Sequence, residues 1–446
     1  MEQTRTELHT HLLGMLSAKE LLKMVQEYTD YIYWPLDKGI SEDTRLVSIS
    51  DVIENESSCE QLMIKHGKRD SYEQLDTFYN SRTAILNYLI SLMVLNNNEK
   101  PVMYKDLLLN DKYRTIIFDN IMDGDINYSD SGIQYMMALM EYAKKEKQSN
   151  RKLEHSCKKH IFSSYINKAL RELIKMGVKY VEISYSYEDV ISMIEIDPEI
   201  AKEIKCKFLL STGRDRSIKQ MCKSAEGLKI ALSKGMTVGF DIMGQEVQLT
   251  DKEKTYETGK KSKSFKRKLE ILINTLIANN DLYNTLRIHS GESPVSFGNT
   301  EWILNTLYEI KNEYLNMTPS RNILPPPELR IGHGIYFEKN DNYIKRLKDF
   351  GAIIEINASS NIALNNIDNF SLLPYDYYLK NGIPIVISTD GHGLYDTNIK
   401  IEDYIAQTTS KYYDAITQAD NAILEGKKKR WVIAIIIEII IVFIKI

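Results

Sequence analysis

Residues 383–390 read Ile-Pro-Ile-Val-Ile-Ser-Thr-Asp. The run is β-branched and almost continuously apolar, the pattern of a strand buried on both faces, and it ends abruptly on a carboxylate. Working outward along the chain, seven more runs of the same kind appear. They are T-R-T-E-L-H (4–9), V-K-Y-V-E-I-S-Y (178–185), K-C-K-F-L-L-S-T (205–212), M-T-V-G-F-D (236–241), L-R-I-H (286–289), L-R-I-G-H (329–333) and A-I-I-E-I-N (352–357). Helical periodicity fills the gaps, as in Ile161–Met176, Ile218–Ser233, Lys268–Ala278 and Trp302–Tyr314. Eight buried strands alternating with helices predict an α/β fold, a closed (β/α)8 TIM barrel.

The spacing is uneven in one place. Residues 13–177 separate the first strand from the second and carry helical candidates at Ser17–Glu27, Tyr72–Leu95 and Tyr128–Lys147. We read them as a large, mainly helical insertion over the top of a single barrel domain spanning 1–426, because the first strand precedes them. A polar run at 250–268, dense in Lys and Glu, is read as a solvated loop. After Lys427-Lys428-Lys429-Arg430, the tail to Ile446 is apolar but interrupted by Glu438. As a helix those last sixteen residues would cover ~24 Å, short of the ~30 Å hydrocarbon core of a bilayer. A segment packed on the barrel, a membrane-contacting tail and a gene end without a selected role all remain open for it.

Composition narrows the function class. With 57 basic and 61 acidic residues interspersed, and a net charge of −4, there is no footing for a nucleic-acid binder. The four cysteines, Cys59, Cys157, Cys206 and Cys222, show no C-x-x-C spacing, so neither a disulfide framework nor a cysteine metal site is expected. The N-terminus lacks a signal-like apolar stretch, and a cytoplasmic location is the default expectation.

The chemistry gathers at strand ends. His9 and His11 close the first run as H-x-H, and residues i and i+2 of a strand point the same way. Alone, that spacing is ordinary strand polarity. The same ends, however, carry His289 in H-S-G-E, His333 in G-H-G and Asp390 in S-T-D-G-H-G. Active sites of such barrels sit at the C-terminal ends of the strands, and imidazole with carboxylate is a ligand set for a catalytic Zn2+. His66, His155 and His160 fall in helical or loop contexts and are read as surface residues.

Six motifs in order, T-E-L-H-T-H-L-L-G, Y-V-E-I-S-Y-S, V-G-F-D-I-M-G-Q-E, H-S-G-E, R-I-G-H-G and S-T-D, resemble those of the adenosine/AMP deaminase branch of the metal-dependent amidohydrolases. The resemblance runs over roughly residues 4 to 405. It implies one Zn2+ per chain, bound by His9, His11, His289 and Asp390. It further implies Glu292 as the acid that protonates purine N1, His333 as the residue orienting or deprotonating the attacking water, and Gly244 as a backbone contact to purine N3. The physical logic agrees: Zn2+ lowers the pKa of bound water to ~7, and adenine C6 resists attack until the adjacent ring nitrogen is protonated.

Two positions depart from the family. Gly391 stands where a second Asp would meet purine N7, with His392 as a candidate replacement, and Leu13 stands where an Asp would meet the ribose. Both changes remove negative charge, so a nucleotide substrate is expected, with Arg214 and Arg216 as candidate phosphate partners. The leading expectation is hydrolytic deamination of adenosine, AMP or ATP to the inosine product and ammonia. The alternatives are another purine or modified nucleoside, and a nucleotide-binding effector active only within an assembly, such as an antiviral one. The partner is a small-molecule purine, and a homo-oligomer stays open.

Overall fold

A computed structural model of the protein describes residues 5–34, 45–54, 72–95, 101–102, 143–244, 246–249, 256–278, 284–317 and 328–426. All eight runs form strands: β1 Arg5–His11, β2 Val178–Tyr185, β3 Lys205–Gly213, β4 Thr237–Met243, β5 Thr285–Ser290, β6 Glu328–His333, β7 Ile353–Ile356 and β8 Ile385–Ile387. They lie in one sheet in chain order, each parallel to the next. Just beyond β8 the ring is drawn shut. Thr10 of β1 and Asp390 form a parallel bridge, and the Asp390 N–H donates to the His9 carbonyl at 2.8 Å. The fold is the expected (β/α)8 barrel, and its seam closes through two of the candidate ligands.

The connecting helices are α1 Ile218–Ser233, α2 Tyr256–Ala278, α3 Asn299–Met317, α4 Asp341–Phe350, α5 Tyr375–Lys380 and α6 Ile399–Thr409. The start of α1 is set by Ser217, whose hydroxyl accepts the Gln220 N–H while the Gln220 side chain returns to the Ser217 N–H. Its apolar residues Met221, Ala225, Leu228 and Leu232 recur at helical spacing and are buried. Helix α2 corrects the sequence reading, because most of the polar run at 250–268 is helical from Tyr256 onward. Phe265, Leu269, Leu272 and Leu276 are buried at spacings of three and four, and that one stripe holds the helix in place despite its charge.

Within the barrel the strands are less apolar than expected. Arg330 of β6 donates to Glu182 of β2, and its other terminal nitrogen to Glu355 of β7 at 2.8 Å. Arg287 of β5 donates to Asp241 of β4 at 2.8 Å and to the Leu8 carbonyl at 2.6 Å. β2 and β6 are not neighbours in the sheet, so their ion pair crosses the barrel interior. All five charged side chains are fully buried. The alternate residues Ile183, Ile288, Ile331 and Ile354 are equally buried and face the helix side.

The chain packs as two compact units, the barrel from Met1–Leu12, Glu172–Ser192 and Ala201–Ile446, and a second from Leu13–Arg171 and Met193–Ile200. In the second unit, helices Ala18–Gln26 and Tyr72–Leu92 match two of the expected ones. Two short antiparallel pairs, Tyr31–Trp34 with Arg45–Ser48 and Val94–Leu95 with Pro101–Val102, were not anticipated. Arg82 is fully buried there and donates to the Leu13 carbonyl at 3.0 Å. Residues 128–142 of the third expected helix, His66 and the whole tail 427–446 lie outside the described residues. Among those described, no helix is long and apolar enough to cross a membrane.

Candidate active site

The C-terminal ends of β1, β5, β6 and β8 bring His9, His11, His289, His333 and Asp390 into one buried cluster. Oδ1 of Asp390 lies 3.2 Å from Nε2 of His11 and 3.4 Å from Nε2 of His9. Its Oδ2 accepts the Ser360 hydroxyl at 2.8 Å. The rings of His9 and His289 approach to 4.6 Å between centroids. Nδ1 of His289 meets Nε2 of His333 at 3.3 Å, and that same His333 nitrogen stands 3.7 Å from Oε1 of Glu292.

Backbone shape helps to aim these groups. His333 and Asp390 adopt left-handed conformations, with φ of 71° and 63°, which cost energy in residues other than glycine and cluster at functional sites. Gly332 is required for a different reason. A Cβ there would fall 2.7 Å from Cε1 of His9, so only glycine lets that ring pack against β6.

The electrostatics divide the cluster into two kinds of group. For Asp390, burial acts to raise the pKa but is outweighed by the close imidazoles of His11 and His9, which hold it well below the usual range. Asp241 shows the same balance, with Arg287 and His289 prevailing over burial. Burial pushes His289 well below an ordinary imidazole, so it stays neutral and free to act as a ligand. Glu292 goes the other way. Burial raises it, His333 opposes, and the carboxylates of Asp390 and Glu246 add to the rise. A carboxyl raised in this way holds its proton more readily than an ordinary one and is suited to give it to a substrate.

A divalent cation fits this donor set. Nε2 of His9 and Nε2 of His289 are buried without a protein hydrogen bond, which is costly for imidazole nitrogens unless a ligand completes them. Ligand atoms of His9, His11 and His289 lie within 4.8 Å of one another, as do those of His9, His333 and Asp390. Three imidazoles and a carboxylate suit zinc and several other divalent ions.

The remaining sequence candidates are placed as follows. Gly244 follows directly on β4, in a left-handed conformation with φ of 95°. His392 is buried two residues beyond Asp390. Arg214 is buried, with its guanidinium donating to the His289 carbonyl, 3.5 Å from Glu246 and over the Phe265 ring. It is thus engaged by protein groups, whereas Arg216 is exposed. His155 is exposed as expected, but His160 is half-buried against Tyr28. Sequence reasoning missed Asp241, Glu355, Ser360 and Glu246, all of which touch the cluster or the turn that carries Glu292.

Comparison with known proteins agrees with this picture. The adenosine deaminase family model matches residues 328–426, which hold β6 to β8 with His333 and Asp390. An adenine deaminase of Rhizobium rhizogenes is 34% identical over 85 residues, 19% of this chain and 26% of that protein. The chain therefore spans about a quarter of the length of the first curated relatives it matches. An N6-methyl-AMP deaminase of Danio rerio is 23% identical over 261 residues, 54% of this chain and 64% of that one. The solved structure of the ADAL–IMP complex superposes with a TM-score of 0.52 at 17% identity, covering 97% of this chain and 96% of its own, and so shares the barrel. Over residues 328–426 the chain thus resembles the adenosine deaminase family, and with the ADAL–IMP structure it shares the barrel whose strand ends carry the clustered histidines and aspartate.

Proposed function

We propose that the protein is a metal-dependent aminohydrolase that removes the C6 amino group of an adenine nucleoside or nucleotide, releasing ammonia and the inosine-type product. The observation that carries this reading is the convergence of His9 and His11 on one oxygen of Asp390, with the raised carboxyl of Glu292 beside His333 in the same pocket. The names of the relatives, adenine deaminase and N6-methyl-AMP deaminase, support an adenine-type substrate.

In this reading His9, His11, His289 and Asp390 hold one zinc ion. Bound there, the ion supplies the Lewis acidity that makes water a nucleophile at neutral pH. The chain's own groups do the rest. Glu292 gives its proton to the ring nitrogen next to C6, which makes that carbon electrophilic. His333 orients the attacking water and takes its proton. Gly244 offers a backbone contact to the purine, and His392 stands in for the N7 partner missing at Gly391. The nucleotide form of the reading rests on the carboxylates absent at Leu13 and Gly391. Arg214 does not support it, since its guanidinium is already bonded within the protein.

The test is amine release (ammonia, or methylamine from N6-methyl-AMP) with product chromatography from zinc-loaded protein, offered adenine, adenosine, AMP, ATP and N6-methyl-AMP in parallel, with Asp390→Ala as control. Turnover of one of these, lost in the variant, is the expected result. Silence on all five from protein shown to hold zinc would overturn the proposal as an activity of the isolated chain and favour an assembly-dependent one.

A further inference from the structure

Glu246 lies outside the expected ligand set, yet its side chain is fully buried beside the turn H-S-G-E. Its Oε2 accepts the backbone N–H of Glu292 at 2.8 Å. Its Oε1 accepts the N–H of Gly291 at 3.2 Å and the Asn299 side-chain amide at 3.3 Å, and lies 3.5 Å from the Arg214 guanidinium. The shortest of these contacts goes to the residue that bears the acid, while the arginine is the most distant partner. Glu246 is therefore more than the counter-ion of Arg214.

The turn depends on this carboxylate. Gly291 has φ of 69°, and its carbonyl accepts the N–H groups of Ile335 and Tyr336, each at 2.8 Å. That fixes one side of the turn to the segment after β6. On the other side the N–H groups of Gly291 and Glu292 are satisfied by Glu246. Buried N–H groups left without an acceptor are costly, so a chain without this carboxylate would reshape the turn to find other partners. Asn299 extends the arrangement, donating to the Val247 carbonyl at 2.9 Å and accepting the Leu249 N–H at 2.7 Å. The segment after β4 is thereby fastened to the turn after β5.

We infer that Glu246 is a positioning residue: by binding the two backbone N–H groups of the H-S-G-E turn, it sets the place of the Glu292 carboxyl for proton transfer. The inference rests on the proposed role of Glu292. Its consequence is kinetic, because a displacement of about 1 Å in a catalytic group can cost ~100-fold in rate. The same carboxylate also faces Glu292 as a like charge and favours its protonated form.

The experiment uses the full zinc-loaded chain with Glu246→Ala and Glu246→Gln. Hydrogen exchange over residues 289–299 reads the turn without any need for activity. Loss of both acceptors in Glu246→Ala should speed exchange at Gly291 and Glu292 by about tenfold or more while zinc stays bound. Glu246→Gln keeps one acceptor oxygen at the same volume and should fall between the alanine variant and the wild type. It also keeps the test alive should the alanine variant not fold. On whichever of adenosine or AMP is turned over, kcat should drop by about 10- to 100-fold with KM within about twofold. In single turnovers on a Glu292→Gln background, the further loss should shrink below about twofold, since residues acting as one unit are not additive. Unchanged exchange, or an equal loss in both backgrounds, would overturn the inference. A wild-type chain inert on all five substrates named above would instead count against the proposed function, with exchange still deciding the role of Glu246.

Discussion

Nδ1 of His9 lies 3.0 Å from Oε2 of Glu355, and both side chains are fully out of solvent. Glu355 is itself held by Arg330 at 2.8 Å and by Arg287 at 3.7 Å. Nδ1 also lies 3.3 Å from the Asn357 amide nitrogen, and Nε2 is the ring nitrogen that faces Asp390, at 3.4 Å. A carboxylate behind a metal-binding imidazole fixes its tautomer and raises its basicity. Glu355→Gln keeps the shape and removes the charge, so zinc affinity should fall about 10- to 100-fold. Competition against a chromogenic chelator measures this directly. An affinity within twofold of wild type would show that Glu355 only packs against the ring.

That contact also shows where the sequence was legible and where it was not. Buried parallel strands are continuous, so their apolar runs and the histidines that end them could be read directly. The layer beneath was present as well, in a form easily dismissed. Glu7, Glu182, Arg287 and Glu355 each interrupt an apolar run two positions before His9, Ser184, His289 and Asn357. Since i and i+2 share a side, Arg287 lies one level below His289, and Glu355 one level below Asn357, whose amide nitrogen is 3.3 Å from His9 Nδ1. A charge at that phase of a buried strand signals a polar barrel interior. The polar part of α2 was misread because Lys and Glu are as common in helices as in solvated loops, and residues 257–264 of the sequence hold no large apolar residue to set a period. Glu246 could not have been found by spacing, because its partners come from a separate turn some 45 residues away.

Arg330 lies at the centre of the buried layer, between Glu182 and Glu355, with its side chain fully out of solvent. Burial works against its charge, but Glu182 and Glu355 outweigh it and hold the guanidinium protonated. Removing one member of such a group leaves uncompensated buried charge, which typically costs 3–5 kcal/mol, roughly the scale expected here. Arg330→Met should lower the unfolding free energy by about that much in urea melts. The triple variant that also carries Glu182→Gln and Glu355→Gln should regain part of the loss, because no buried carboxylate is then left without its partner. A triple variant no more stable than Arg330→Met would show that volume, not charge, sets the cost.

Glu402 gives the barrel a pH dependence that can be isolated. It is fully buried against the short helix Ala358–Ala363, which carries Ser360 to Asp390. Its carboxyl accepts the N–H groups of Ala358 at 2.9 Å and Ser359 at 3.2 Å, and the Thr397 hydroxyl at 2.8 Å. Burial outweighs these bonds and pushes its pKa from 4.5 up to about 7. A carboxyl with a higher pKa in the folded state stabilises that state when protonated. Its contribution is complete below about 4.5 and is lost as pH rises through about 7. Asp390 and Asp241, held low, act in the opposite direction and lose their contribution on acidification. Subtracting wild type from Glu402→Gln at each pH cancels the titrating groups that Glu402 does not influence; Glu7, whose own rise Glu402 adds to, is coupled to it. Between pH 4 and pH 8 the difference in unfolding free energy should move in favour of the variant by on the order of 3 kcal/mol. Urea melts of both proteins across that range provide the comparison. A difference that stays flat with pH would mean that Glu402 titrates alike in the folded and unfolded chain, its three donors offsetting burial.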